Sequence, residues 1–260
     1  MKKNKIIAVI PARLASSRFP NKPLAKILGT PMVGHCYFRA KMAGLLDEVY
    51  VATCDREIAD YITGIGGKAI MTRDTHQRAS DRTAEAVGKI EKLTRGKVEI
   101  VVMIQGDEPM VLPEMIDSAV ETLLKDRKVQ VVNLMSELKS VKEQEDPNEV
   151  KVVVDLQGNA LYFSREPIPS RKKGGTGIKA LKQVCIIPFR RDFLFQYLDL
   201  PPTPLEIIES VDMNRILEHG LKVKMVLTEH QTYAVDTLED LKLVETRMRK
   251  DPLVKNYLRP

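Results

Sequence analysis

The sequence predicts an α/β fold: a Rossmann-like, mostly parallel sheet flanked by helices, with a smaller hairpin-containing subregion in the C-terminal half. Three observations support this. Short apolar, β-branched runs alternate with helical patterns through the first half of the chain, the alternation that builds a parallel sheet covered on both faces. The first run opens into a long loop rich in small residues and cations. After about residue 148 the rhythm changes to a hairpin pattern.

Taken in order, strands are predicted at Lys5–Pro11, Glu48–Thr53, Lys68–Thr72, Glu99–Gln105 and Val129–Leu134, each an apolar run of strand length. Helical patterns fall between them at Pro31–Ala43, Asp55–Thr63, Ser80–Leu93 and Pro113–Leu124. The glycines of Gly64-Ile65-Gly66-Gly67 precede a strand, so they read as a helix C-cap and turn; a phosphate loop needs the reverse order. Val150–Asp155 and Ala160–Ser164 form the hairpin, joined at Leu156-Gln157-Gly158-Asn159. A basic, glycine-rich loop follows at Ser170–Gly177, then a strand at Val184–Phe189 and helices near Arg191–Tyr197 and Pro204–Glu218. A strand at Lys222–Leu227 and a C-terminal helix complete the pattern, with Asp236 or Thr237 as the helix cap.

Composition narrows the function classes. With 260 residues, 43% of them hydrophobic, the chain is long enough to bury one substantial core as a single domain, residues 1–260. The longest apolar stretches are strand-length, which predicts no membrane span. The basic N-terminus leads into too few apolar residues for a signal peptide, so a cytoplasmic location is expected. Cys36, Cys54 and Cys185 are odd in number and far apart, which argues against a disulfide framework or a thiolate zinc site. The formal charge of +6 is spread along the chain without a nucleic-acid-binding motif, so no nucleic acid partner is expected. His35, His219 and His230 lack ligand spacing. Neither G-x-x-x-x-G-K-[ST] nor G-x-G-x-x-G occurs.

Ligands of open parallel sheets bind beyond the carboxyl ends of the strands. Immediately after the first strand runs Pro11-Ala12-Arg13-Leu14-Ala15-Ser16-Ser17-Arg18-Phe19-Pro20-Asn21-Lys22. Its small side chains let backbone N–H groups approach an anion, while Arg13, Arg18 and Lys22 can neutralise a polyphosphate. After the strand at Glu99–Gln105 comes Gly106-Asp107-Glu108-Pro109. A carboxylate at that position suits a hard cation such as Mg²⁺, making Asp107 the first candidate metal ligand. Asp236, also directly after an apolar run and at a helix start, is its candidate partner.

These segments, with V-A-T-C-D, M-T-R-D-T-H-Q-R-A-S-D-R, Q-G-D-E-P, V-K-V-V-V-D…A-L-Y-F-S-R and V-D-T-x-E-D-L, resemble the CMP-Kdo synthetase (3-deoxy-manno-octulosonate cytidylyltransferase) family in order from about residue 5 to residue 245. The resemblance implies a CTP-dependent nucleotidyltransferase requiring Mg²⁺, in which an acceptor hydroxyl attacks the α-phosphate, CMP is transferred and pyrophosphate leaves. It implies a CTP-binding half at 1–148, an acceptor-binding and dimerisation subregion at 149–260, and a homodimer. Carried over by position, Ala12, Arg13, Ser17, Arg18 and Lys22 bind the triphosphate, and His76, Ser80 and Arg82 surround the base. Arg13, Lys22 and Asp107 are catalytic, with Asp107 and Asp236 on the metal. Gln105, Arg165, Gln183 and Asp212 face the acceptor, a small anion.

The chain departs from the family pattern at several points. Arg78-Ala79 replaces a Ser-Gly pair in the base segment. Gln183-Val184-Cys185-Ile186-Ile187-Pro188-Phe189 stands for H-x-G-I-Y-x-Y, and Asp212-Met213-Asn214-Arg215 for E-Q-L-R. The acceptor is therefore Kdo or a modified Kdo, or alternatively a different acidic sugar or a phosphorylated or phosphonylated metabolite. A non-catalytic nucleotide-binding protein on the same fold is the rival of another class, disfavoured by the presence of both carboxylates and all three loop cations.

Overall fold

The computed structural model describes residues 5–15, 19–172 and 179–258. Two compact units emerge: Met1–Asp117 with Thr232–Pro260, and Ser118–Gln231.

The first unit begins with β1 (Lys5–Ala12), in which Ile7 to Ile10 are fully buried. Such an unbroken apolar run fits a parallel strand covered on both faces, which has no polar side. A short antiparallel ribbon follows, β2 (Lys26–Ile27) with β3 (Thr30–Pro31), turning through Leu28 and Gly29 at positive φ. Next come α1 (Met32–Ala40), β4 (Glu48–Thr53), α2 (Arg56–Gly64), β5 (Ala69–Met71), α3 (Ala79–Thr94) and β6 (Val98–Ile104). These strands run parallel in the order β6-β1-β4-β5. Their carboxyl ends therefore share one edge, where Arg13, Cys54, Thr72 and Gln105 follow directly. The predicted turn after α2 forms: Gly66 has φ +75, and the Gly67 N–H donates to the Ile62 carbonyl at 2.8 Å. A β-carbon at Gly67 would lie 2.8 Å from Ile62 Cγ2, so only glycine fits without movement.

The boundary between the units lies within α4 (Pro113–Lys125). The second unit contains β7 (Val132–Glu137), α5 (Val141–Glu145), the hairpin β8 (Lys151–Val154) and β9 (Ala160–Ser164), β10 (Leu181–Val184), β11 (Ile186–Arg190), α6 (Arg191–Asp199), α7 (Pro204–Glu209), α8 (Asp212–Glu218) and β12 (Lys224–Thr228). Its sheet has the order β12-β7-β10-β8-β9; β12 and β7 are parallel and the other pairs antiparallel. The chain then returns to the first unit with α9 (Leu238–Met248), where Val235, Val244, Met248 and Val254 pack with Ile27 and Met32.

The α/β prediction holds, and several elements differ in detail. The strand expected at Val129–Leu134 forms later, as β7, and joins the second sheet, because an apolar run does not specify its partner. The strand expected at Val184–Phe189 divides at Cys185 into β10 and β11. A single helix over Pro204–Glu218 is interrupted at Ser210, whose φ of 54° ends α7. Such a conformation costs a non-glycine residue about 1 kcal/mol and carries no Gly or Asn signal in the sequence. Thr237, not Asp236, caps α9: its hydroxyl accepts from the Asp240 N–H at 3.2 Å. The short helix α5, capped by Ser140, was not predicted.

Candidate active site

At the carboxyl edge of the first unit, three of the predicted residues converge. Lys22, in a 3-10 turn at Lys22–Leu24, donates to Asp107 Oδ2 at 2.8 Å and to Asp236 Oδ1 at 3.1 Å. The Val235 N–H donates to the Asp107 carbonyl at 2.9 Å, which sets the segment carrying Asp236 beside the end of β6. Gly106 permits a further close approach: a β-carbon there would stand 3.3 Å from the Pro11 carbonyl, at the end of β1. Burial opposes the charge on Lys22, yet the two carboxylates outweigh it and hold its pKa above the ordinary lysine value.

Asp107 Oδ1 is buried and has no hydrogen-bond partner. An orphaned carboxylate oxygen is costly unless a ligand satisfies it. Two converging carboxylates with one uncommitted oxygen fit a hard divalent cation, which takes one or two protein carboxylates and keeps water or phosphate oxygens.

Two loops flank this cluster in the same unit. Ala12 is buried at the end of β1, and Arg13 is exposed with Nη1 donating to the His76 carbonyl at 3.4 Å. Ser17 and Arg18 lie outside the described residues. The His76 ring pairs through Nε2 with Glu85 Oε2, which also accepts the Arg73 N–H at 3.0 Å. Burial raises the Glu85 pKa, but hydrogen bonds from Lys89, the Arg73 N–H and His76 outweigh it and bring the value to about 2. Ser80 and Arg82 are buried in the first turn of α3. Arg82 Nη1 donates to Thr72 Oγ1 at 2.6 Å and to the Arg73 carbonyl at 3.2 Å, while its Nη2 is buried without a partner. Arg82 thus holds the loop from β5 and keeps one donor uncommitted.

The four residues predicted to face the acceptor divide between the units. Gln105 ends β6 in the first. In the second, Arg165 is engaged by the protein: Nε donates to the Glu209 carbonyl and Nη1 to the Pro147 carbonyl, both at 2.7 Å. Gln183 Nε2 donates to Asn133 Oδ1 at 2.6 Å. Asp212 is the first residue of α8. Sequence reasoning missed the acids that organise these regions. Glu209 accepts from Tyr162 Oη, Ser164 Oγ and the Arg165 N–H at 2.7, 2.8 and 2.7 Å. Nothing in its helical context distinguishes it from neighbouring surface acids. Glu85 lies nine residues from His76, a spacing with no local signature.

Comparison with known proteins points to one family. Residues 7–225 match the family model for cytidylyltransferases. The 3-deoxy-manno-octulosonate cytidylyltransferase of Geobacter metallireducens is 42% identical over 256 residues, covering 94% of this chain and 98% of that one. The protein of the same name from Syntrophobacter fumaroxidans is 43% identical over 248 residues, covering 95% and 98%. A solved structure of CMP:2-keto-3-deoxy-manno-octonic acid synthetase complexed with CTP matches with a TM-score of 0.85 at 36% identity, covering 95% of this chain and 99% of that one. Alike in sequence and fold over nearly its whole length, the chain belongs to the cytidylyltransferase family, among the 3-deoxy-manno-octulosonate cytidylyltransferases.

Proposed function

We propose that this chain transfers CMP from CTP to 3-deoxy-manno-octulosonate (Kdo), releasing pyrophosphate. The observation that carries the chemistry is Lys22 shared between Asp107 and Asp236 beside an unpartnered carboxylate oxygen. An acceptor oxygen forms a bond to the α-phosphorus, the bond to the bridging α–β oxygen breaks, and the hydroxyl proton passes to solvent. Mg²⁺ held by Asp107 and Asp236 neutralises phosphate charge when bound. Lys22 and Arg13 spread the charge of the departing pyrophosphate, and the loop N–H groups fix its position. Positioning and charge stabilisation supply most of the catalysis in such transfers, so no nucleophilic side chain is required.

A second reading keeps CTP and Mg²⁺ but uses a related acidic sugar or a phosphorylated metabolite. It is favoured by the commitment of Gln183 to Asn133 and of Arg165 to Glu209 and Pro147. Incubation with CTP, Mg²⁺ and a panel of acidic sugars, followed by pyrophosphate release, separates the two. Release with Kdo supports the first; release only with another acid supports the second. Absence of CTP binding overturns both. Among the described residues no helix is long and apolar enough to cross a membrane. We place the reaction in the cytoplasm, where CTP is made, and in a homodimer, which light scattering tests.

A further inference from the structure

Aspartate at a helix N-cap ordinarily accepts a hydrogen bond from the first turn of its own helix. Asp55 stands at the N-cap of α2 with the extended backbone such a residue adopts, φ −98° and ψ 126°, yet its side chain makes no capping bond. Instead Oδ2 accepts the Leu14 N–H at 2.7 Å. The Asp55 N–H donates back to Thr53 Oγ1 at 3.0 Å, which fixes the turn after β4, and Cys54 Sγ lies 3.7 Å from the same carboxylate oxygen. By contrast, Ser140 caps α5 and Thr237 caps α9 with their own side chains.

The peptide that Asp55 holds is well placed to matter. Leu14 follows Arg13, and its carbonyl accepts the Asn21 N–H at 3.3 Å, immediately before Lys22. One residue therefore ties together the two ends of the polyphosphate loop, and its N–H is fixed from outside by Asp55. We propose that Asp55 is a positioning residue for CTP: its carboxylate is diverted from capping α2 to hold Leu14, and through Leu14 the Arg13 and Lys22 side chains. The inference rests on the function proposed above and concerns CTP alone, whatever the acceptor.

The test is Asp55→Ser, whose hydroxyl can cap α2 but is too short to reach Leu14, alongside Asp55→Asn, which keeps an acceptor at similar reach. CTP affinity is measured by calorimetry without acceptor, followed by steady-state kinetics and thermal melting. Asp55→Ser is expected to melt at or above the wild-type temperature while its CTP affinity falls about tenfold, the order produced by losing one hydrogen bond to a charged acceptor. The KM for CTP should rise, that for the acceptor stay constant, and Asp55→Asn recover most of the loss. A folded Asp55→Ser that binds CTP within about twofold of wild type overturns the proposal, as does a loss of affinity that merely tracks a loss of stability. If wild type itself binds no CTP, the proposed function fails first.

Discussion

In the first unit Lys22 is shared by two carboxylates while Asp107 retains an oxygen, and Arg82 a nitrogen, that no protein group satisfies. In the second unit Glu209 spends both oxygens on Tyr162, Ser164 and the Arg165 main chain, and Arg165 returns a bond to the Glu209 carbonyl. Both clusters place charge in poorly hydrated surroundings, where an unmet polar group costs about 1–3 kcal/mol. That cost is tolerable where a ligand removes it during turnover. In the Glu209 network both carboxylate oxygens are partnered, and those bonds hold β9 against the end of α7. Uncommitted bonding capacity separates the candidate binding cluster from the structural one.

The widest separation between the clusters should come from their central acids. Asp107→Ala removes the proposed metal ligand and a partner of Lys22, and we expect pyrophosphate release to fall by about 10²–10³-fold while the unfolding midpoint moves little. Turnover within a few-fold of wild type would refute the assignment of Asp107 to the metal. Glu209→Ala should do the reverse, since it strands the buried Ser164 hydroxyl and the half-buried Tyr162 hydroxyl and Arg165 N–H: a stability loss of about 1–3 kcal/mol by urea unfolding, with the CTP affinity of the folded fraction unchanged. Should Glu209→Ala instead abolish CTP binding without destabilising the chain, the contrast between the clusters would collapse.

How far each cluster was legible in the sequence follows from the same contrast. Asp107 and Asp236 each lie just beyond an apolar run and Lys22 lies in the long cationic loop after the first strand, and the rule that parallel sheets bind ligands at strand ends singles these segments out before any coordinates. Their convergence could not be read, because it depends on Gly106 admitting the Pro11 carbonyl and on Val235 bonding to the Asp107 backbone. The second unit was less transparent. An apolar β-branched run marked β7 as a strand without telling which sheet it would enter. The break between α7 and α8 falls at Ser210, a residue that announces no left-handed turn. Glu209 became central only because that break holds its carboxylate against β9.

Glu85 gives the smallest and most discriminating test, because it sits in α3 yet bonds to the candidate nucleotide loop at Arg73 and His76. Its carboxylate anchors His76 and the Arg73 N–H, and its pKa near 2 marks it as ionised in the folded chain. A carboxylate whose folded pKa lies below the unfolded value of about 4.5 stabilises the fold above that pH and loses its contribution as pH falls toward 2. Arg73 and Lys89 are 70% and 46% exposed, so solvent screens their pairing. We therefore expect Glu85→Gln to cost only about 1 kcal/mol at pH 7. In urea unfolding the gap from wild type should close between pH 4.5 and about 2; a gap that ignores pH removes the ionised carboxylate as its cause. If CTP affinity also drops a few-fold, stability and ligand placement are coupled through one acid, and the line between the clusters follows what each bond positions rather than whether the bond is satisfied.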